Sequence, residues 1–248
     1  MPPRTIVKFG STSATLLMAE RLEHPLVYRQ ELFDVFSPAG AKALLDLARA
    51  WREELQARGT VALAAGGEAI RRNAQLQREL RQLFPVWWPL TGEMEGRLAW
   101  MAVKARHPSV DGVIDIGGGS TEVIIAEKTW SFAVGAANAS PAMPAWPREL
   151  AAVHTPAFIG GTAVSLARWA NREWLSVKDA EALQQALANH PEAFREWSSI
   201  RLRILPQGLA ILMSLAKHAG WSRFLVSSRG LTEGLWLAAS LGRVSNHD

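Results

Sequence analysis

The chain has no cysteine. That excludes disulfides, thiolate zinc sites and a cysteine nucleophile, and it leaves no group that would report a redox compartment. A membrane-length apolar run of roughly 20 residues is missing as well. The N-terminus, Met1-Pro2-Pro3-Arg4, leads straight into a short apolar run interrupted by Lys8. No membrane partner is expected, and a cytoplasmic location is the reading that follows. Charge of one sign is also scarce: 27 Lys and Arg stand against 23 Asp and Glu. This balance does not imply nucleic acid as a partner. The six histidines are scattered without ligand spacing.

What is present suits a folded protein. Of 248 residues, 48% are apolar and 20% charged, a composition outside the disordered and fibrous classes. The length allows one large domain or two of about 100 to 150 residues. The eleven tryptophans fall within the apolar patterns of different elements, so packing is expected of them rather than base stacking.

Read along the chain, the pattern predicts three short strands at Thr5–Val7, Ala14–Met18 and Leu26–Phe36, and a helix from Ser37-Pro38 to about Arg58. A strand at Val61–Ala65, a helix at Glu68–Phe84, a strand at Val86–Leu90 and a helix at Glu93–Arg106 follow. The order is βββαβαβα. The second half restarts it, with strands at Gly112–Ile116, Thr121–Glu127 and Trp130–Val134, a proline-rich stretch at Pro141–Pro147, and a strand at Val153–Ile159. Helical patterns then run over Thr162–Asn171, Val177–Ala188, Ala193–Ser199 and Gln207–Ala219, before a strand at Phe224–Ser227 and a helix at Leu231–Leu241.

The duplication extends to the letters. Val7 to Glu20 aligns with Ile114 to Glu127 so that Lys8 matches Asp115, Gly10 matches Gly117, Ser13 matches Ser120 and Thr15 matches Glu122. A strand, glycine turn, strand unit that occurs twice has a physical use. Glycines let a ligand approach the backbone, and successive exposed N–H groups form a concave anion site. A plain hairpin is the competing reading, stronger for Gly10-Ser11 than for Gly117-Gly118-Gly119-Ser120 with its flanking Asp115 and Glu122.

The segment Val113-Ile114-Asp115-Ile116-Gly117-Gly118-Gly119-Ser120-Thr121-Glu122 resembles the second phosphate motif of the exopolyphosphatase and guanosine pentaphosphate phosphatase family. Gly66–Arg71, Thr91–Leu98, Ile159–Ala163, Arg201–Gly208 and Ser228–Leu235 resemble further segments of that family in the same order. The resemblance implies an α/β, two-lobed actin-like (ribonuclease H-like) ATPase fold with a cleft between duplicated lobes, here taken as residues 1–98 and 99–248. It also implies hydrolysis of a terminal phosphoryl group from inorganic polyphosphate or guanosine pentaphosphate. A homodimer is compatible with it.

Residue by residue, the resemblance makes Glu95 the catalytic carboxylate that orients or deprotonates the attacking water, and Asp115 and Glu122 the acids at the Mg²⁺ end. Gly117, Gly118, Gly119 and Ser120 then give donors to phosphoryl oxygens, Gly10, Ser11 and Ser13 their counterparts in the first hairpin, and Arg71 and Arg201 grip the phosphate chain. Gly160-Gly161-Thr162 opens a helix that either holds an anion or is only a turn with a threonine cap. The pattern departs from the family in the first hairpin, where Lys8 replaces an aspartate, Thr12 an asparagine, and Thr15 stands opposite Glu122. Lys8 is expected to bind phosphate itself, with reduced dependence on Mg²⁺. The alternative is a catalytically weakened protein that binds such ligands as a sensor. A sugar or acetate kinase of the same superfold is disfavoured by Glu95.

Overall fold

Apolar residues on both faces of short strands, with helices between them, dictate sheets covered on two sides. The computed structural model describes residues 4–126, 128–138 and 143–242, so the expected strand end Glu127 and the start of the proline-rich stretch, Pro141, lie outside the described residues. The chain forms two compact units, one running up to Leu98 and resuming at Leu231, the other Ala99–Gly230.

In the first unit, β1 (Arg4–Phe9), β2 (Ser13–Ala19), β3 (Val27–Leu32), β4 (Ala62–Gly66) and β5 (Trp87–Pro89) make a sheet of order β3-β2-β1-β4-β5. β1 runs antiparallel to β2 and parallel to β4, with Lys8 opposite both Thr15 and Ala65. Helix α1 (Pro38–Ala57) starts where Ser37 caps it: its hydroxyl accepts from Gly40 N at 3.0 Å, and Pro38 presets the first turn. Its buried stripe of Leu44, Ala48, Trp51 and Leu55 packs with Val7, Phe9, Leu16 and Met18.

The single helix predicted over Glu68–Phe84 is two helices, α2 (Glu68–Arg72) and α3 (Ala74–Leu83). Asn73 leaves helical geometry at φ −104° and ψ 89°, and its side-chain oxygen accepts from Leu76 N to restart the chain. Asparagine competes locally for backbone donors, which apolar periodicity does not register. Helix α4 (Gly92–Arg106) follows β5.

The second unit repeats the plan. β6 (Gly112–Ile116), β7 (Thr121–Ile125), β8 (Lys128–Phe132), β9 (Pro156–Ile159), β10 (Trp174–Leu175) and β11 (Phe224–Val226) give the order β10-β11-β9-β6-β7-β8. In place of α1 the described residues hold a 3₁₀ turn at Arg148–Ala152. Asp115 stands opposite Glu122 on β7 and Ile159 on β9, the register Lys8 has in the first unit. One face of this sheet (Val113, Ile124, Ala157, Leu225) packs with Ala99 and Val103, and the other (Ile114, Val123, Phe158, Val226) with the helices α5 (Gly160–Ala170), α6 (Val177–Asn189) and α7 (Ser199–Ala219).

Three expectations need correction here. The helix expected from Gln207 begins at Ser199, because Ser198 caps it, its hydroxyl oxygen accepting from Arg201 N at 3.2 Å, and the chain stays helical through Pro206. Burial of Ile204, Leu205, Leu209 and Leu212 outweighs the one hydrogen bond proline removes. The helical pattern at Ala193–Ser199 is a 3₁₀ turn, Pro191–Phe194, and strand β10 carries no signal beyond two residues. Finally, the linear division at residue 98 put the last helix in the second domain. Helix α8 (Leu231–Ser240) instead belongs to the first unit. Trp236 Nε1 donates to Ala19 O at 2.9 Å, and Gly234 lies so close to Leu98 that a Cβ would come within 2.5 Å of its carbonyl carbon.

Candidate phosphate-handling site

In the first unit, four expected residues converge. Glu95 sits in the first turn of α4, its N–H bonded to Thr91 O at 2.9 Å, while Thr91 Oγ1 accepts from Met94 N. From there its carboxylate reaches the turn after β4: a Cβ on Gly67 would stand 3.4 Å from Glu95 Oε2. Gly67 in turn donates to Phe9 O, the end of β1, at 2.8 Å. Arg71, one turn into α2, donates to Glu95 Oε1 at 2.6 Å, and the two side chains are only 27% and 19% exposed. Lys8 bends over the first hairpin turn, where a Cβ on Gly10 would lie 2.8 Å from its Nζ. Among the described residues Lys8 forms no ion pair, yet its charge acts on Glu95.

Burial raises the pKa of Glu95 above the ordinary glutamate range, and the adjacent Glu68 adds to this, whereas Arg71 and Lys8 pull it down. The net effect is upward, so desolvation outweighs two cations. A mostly buried carboxylate beside two cations is the environment in which ionisation departs from its ordinary range.

The first hairpin turn is closed by Gly10 N donating to Ser13 O at 2.7 Å. Its carbonyls are tied away: Val35 N donates to Ser11 O and Phe33 N to Thr12 O. Among the described residues the N–H groups of Ser11 and Thr12 have no partner.

The second hairpin turn is built in the same way. Gly117 N donates to Ser120 O at 3.0 Å, Ala136 N to Gly117 O at 2.9 Å, Ala137 N to Gly118 O at 2.8 Å, and Asn138 Nδ2 to Gly119 O at 2.7 Å. Every turn carbonyl is thus engaged, while the N–H groups of Gly118, Gly119 and Ser120 make no hydrogen bond among the described residues. Three consecutive unsatisfied donors in one turn are the arrangement that an anion-binding nest requires. The brace is Gly135 to Asn138, which sequence reading did not single out. Gly135 N donates to Asn138 Oδ1, and a Cβ on Gly135 would fall 2.6 Å from both Gly118 C and Ser120 N.

Asp115 and Glu122 face one another across β6 and β7 on the same side of the sheet. Glu122 is buried and accepts from Ser131 Oγ at 2.9 Å. Asp115 Oδ1 lies 2.8 Å from where a Cβ on Gly160 would be, and Gly160 holds φ +87°. Glycine is needed there on both counts. No group of three or more metal-ligating side chains occurs among the described residues. Two hard carboxylate oxygens without a third suit Mg²⁺ that keeps its waters and borrows phosphate oxygens, rather than a cation caged by protein alone.

Arg201, in the first turn of α7, places its guanidinium over Gly161 at the start of α5, where a Cβ would approach Cζ to 2.7 Å. Burial lowers its pKa, and among the described residues no acid is paired with it. An uncompensated, largely buried guanidinium calls for an anion. Gly66-Gly67 at the end of β4 and Gly160-Gly161 after β9 occupy equivalent positions; Glu95 approaches the first pair, and Asp115 and Arg201 approach the second. At Gly160-Gly161-Thr162, Thr162 does not cap the helix: its Oγ1 is buried with no hydrogen-bond partner among the described residues, pressed against Gly208.

No protein-family model matches the chain, and no curated protein is similar to it in sequence. Solved structures are similar in fold. A Ppx/GppA family member from Aquifex aeolicus aligns over 100% of this chain and 99% of its own at 20% identity, with a TM-score of 0.75. An exopolyphosphatase from Cytophaga hutchinsonii aligns over 97% and 98% at 18% identity and a TM-score of 0.79. An exopolyphosphatase-like protein aligns over 98% and 100% at 16% identity and 0.78. The chain therefore has the duplicated α/β, actin-like fold of the Ppx/GppA structures.

Proposed function

We propose that the protein is a phosphoanhydride hydrolase that removes the terminal phosphoryl group of inorganic polyphosphate or guanosine pentaphosphate. The observation that carries the reading is Glu95: a mostly buried carboxylate with a raised pKa, held by Arg71 and neighboured by Lys8. Phosphoryl transfer asks little covalent chemistry of a protein and depends on positioning and on neutralising oxygen charge. Glu95 takes the proton of the attacking water. Arg71, Lys8 and Arg201 attract the phosphate chain, and the N–H groups of Gly118, Gly119 and Ser120 receive phosphoryl oxygens. Asp115 and Glu122 would hold Mg²⁺, which when bound neutralises charge on the phosphates. The test is phosphate release from each substrate, with and without Mg²⁺. Release from neither, by protein that binds both, overturns the reading.

A second reading has its own observation. Glu95 is already ion-paired to Arg71, and Lys8 occupies the β1 position equivalent to Asp115, as a binding protein that senses polyphosphate without turning it over would allow.

Two results discriminate further. Because Glu95 acts as the carboxylate and its pKa is raised, activity should climb with pH through a limb lying above the ordinary glutamate range. Arg71→Gln removes the nearer of the two cations that lower that pKa and leaves Lys8 in place, so the limb should move to higher pH while phosphate binding weakens. A limb that stays in place in a pH-rate profile counts against Glu95 as the titrating group. Lys8→Asp should weaken binding of tripolyphosphate measured without metal and make any hydrolysis more dependent on Mg²⁺. A lysine without a role would leave both unchanged.

A further inference from the structure

On the outer face of α3, Ala74, Gln77, Arg78, Arg81 and Gln82 line an open hollow of about 400 Å³. Their spacing of three and four residues puts all five on one side of the helix. The hollow contains two cations and no acid. Several other arginines of this unit are neutralised, Arg29 and Arg58 by Glu54, Arg49 by Asp46 and Glu79, Arg72 by Glu68, and Arg71 by Glu95, whereas Arg21 and Arg52 form no ion pair among the described residues and line no such hollow. Arg78 and Arg81 have no ion pair among the described residues, and like charges one turn apart repel each other. Glu79, the acid between them in sequence, is turned to another face, where it meets Arg49 and Gln75.

We propose that this hollow is a subsite for the body of a long inorganic polyphosphate chain, a proposal that rests on the hydrolase reading above. The face spans about 12 Å from Ala74 to Gln82 at 1.5 Å per residue, which suits an extended ligand with repeated charges rather than one compact phosphate. Guanidinium forks and amide N–H groups match phosphate oxygens. The lining has no aromatic residue, so it offers no stacking platform to single-stranded nucleic acid. Helix α3 follows α2, which carries Arg71, with only Asn73 between them. The consequence is a preference for long chains over guanosine pentaphosphate, whose phosphate chain is short.

The test compares wild type with R78Q, R81Q and R78Q/R81Q by calorimetric titration with long-chain polyphosphate, tripolyphosphate and single-stranded RNA, alongside phosphate release. Both arginines are exposed, so their replacement leaves the core intact. Expected is a loss of about tenfold in long-chain affinity for the double variant, with a shallower salt dependence as fewer counter-ions are released. Tripolyphosphate binding and its hydrolysis should not change. Unchanged long-chain affinity, or an equal loss for tripolyphosphate, overturns the subsite, as does RNA binding that is tighter than polyphosphate binding and more sensitive to the substitutions. The hydrolase reading fails separately, when wild type releases no phosphate from any chain length.

Discussion

Glu95→Gln is expected to reduce phosphate release from polyphosphate or guanosine pentaphosphate by about 10² to 10⁴, the range a positioned general base contributes. The amide keeps the shape of the side chain and can still accept from Arg71, so the loss should fall on turnover rather than on binding. The substitution also removes a buried carboxylate whose ionised form is opposed by desolvation, and the pH limb attributed to Glu95 should disappear with it. The check is a steady-state rate and pH profile beside a calorimetric titration of tripolyphosphate. Equal rates for wild type and variant, with binding retained, would falsify the assignment of Glu95 and leave the sensor reading in its place.

Gly135→Ala should have the second largest effect, although Gly135 touches no substrate in the proposed mechanism. Its new Cβ would meet Gly118 C and Ser120 N at 2.6 Å. These are backbone atoms that cannot turn aside as a flexible side chain can, so the turn from Gly117 to Ser120 must shift and its free N–H groups lose their common focus. Overpacking of this kind costs about 1 to 3 kcal/mol, which thermal unfolding would register as a modest decrease in stability. Phosphate affinity should fall much further than that decrease suggests. A variant of normal stability and normal affinity for tripolyphosphate would show that the turn is not the cradle. Asn138→Ala offers a gentler probe, because it frees Gly119 O and Gly135 N without adding bulk.

Where local pattern and tertiary need agreed, the elements could be read from the letters. β6 and β7 are apolar runs around a glycine turn; β6 has its expected bounds, and β7 starts at Thr121 as expected and ends at Ile125. Disagreement arose where a side chain competes with the backbone or where burial overrides propensity. Asn73 splits a helix that periodicity makes continuous, and this leaves Arg71 on a short segment of its own, ion-paired to Glu95. Pro206 marks a helix start by rule, yet the buried stripe of α7 carries the helix back to Ser199 and so fixes Arg201 within its first turn. The brace at Gly135 to Asn138 left no readable signal, because a loop that supports a turn about 20 residues away has no periodicity.

The sequence by itself determined the duplication and the residue types at its turns: two strand-turn-strand units with glycine and serine at matched positions, and opposite charge at Lys8 and Asp115. These are local patterns, since strand alternation and turn chemistry act over a few residues. Only the tertiary structure decided which groups meet. It set Glu95 against Gly67 and Arg71, set Arg201 against Gly161, and occupied the carbonyls of Gly118 and Gly119 while their N–H groups make no hydrogen bond among the described residues. It also returned α8 to the first unit, which no linear division could show. The physical reason is the same in each case: burial and hydrogen bonding join segments distant in sequence, and their energies depend on distances that spacing along the chain does not specify.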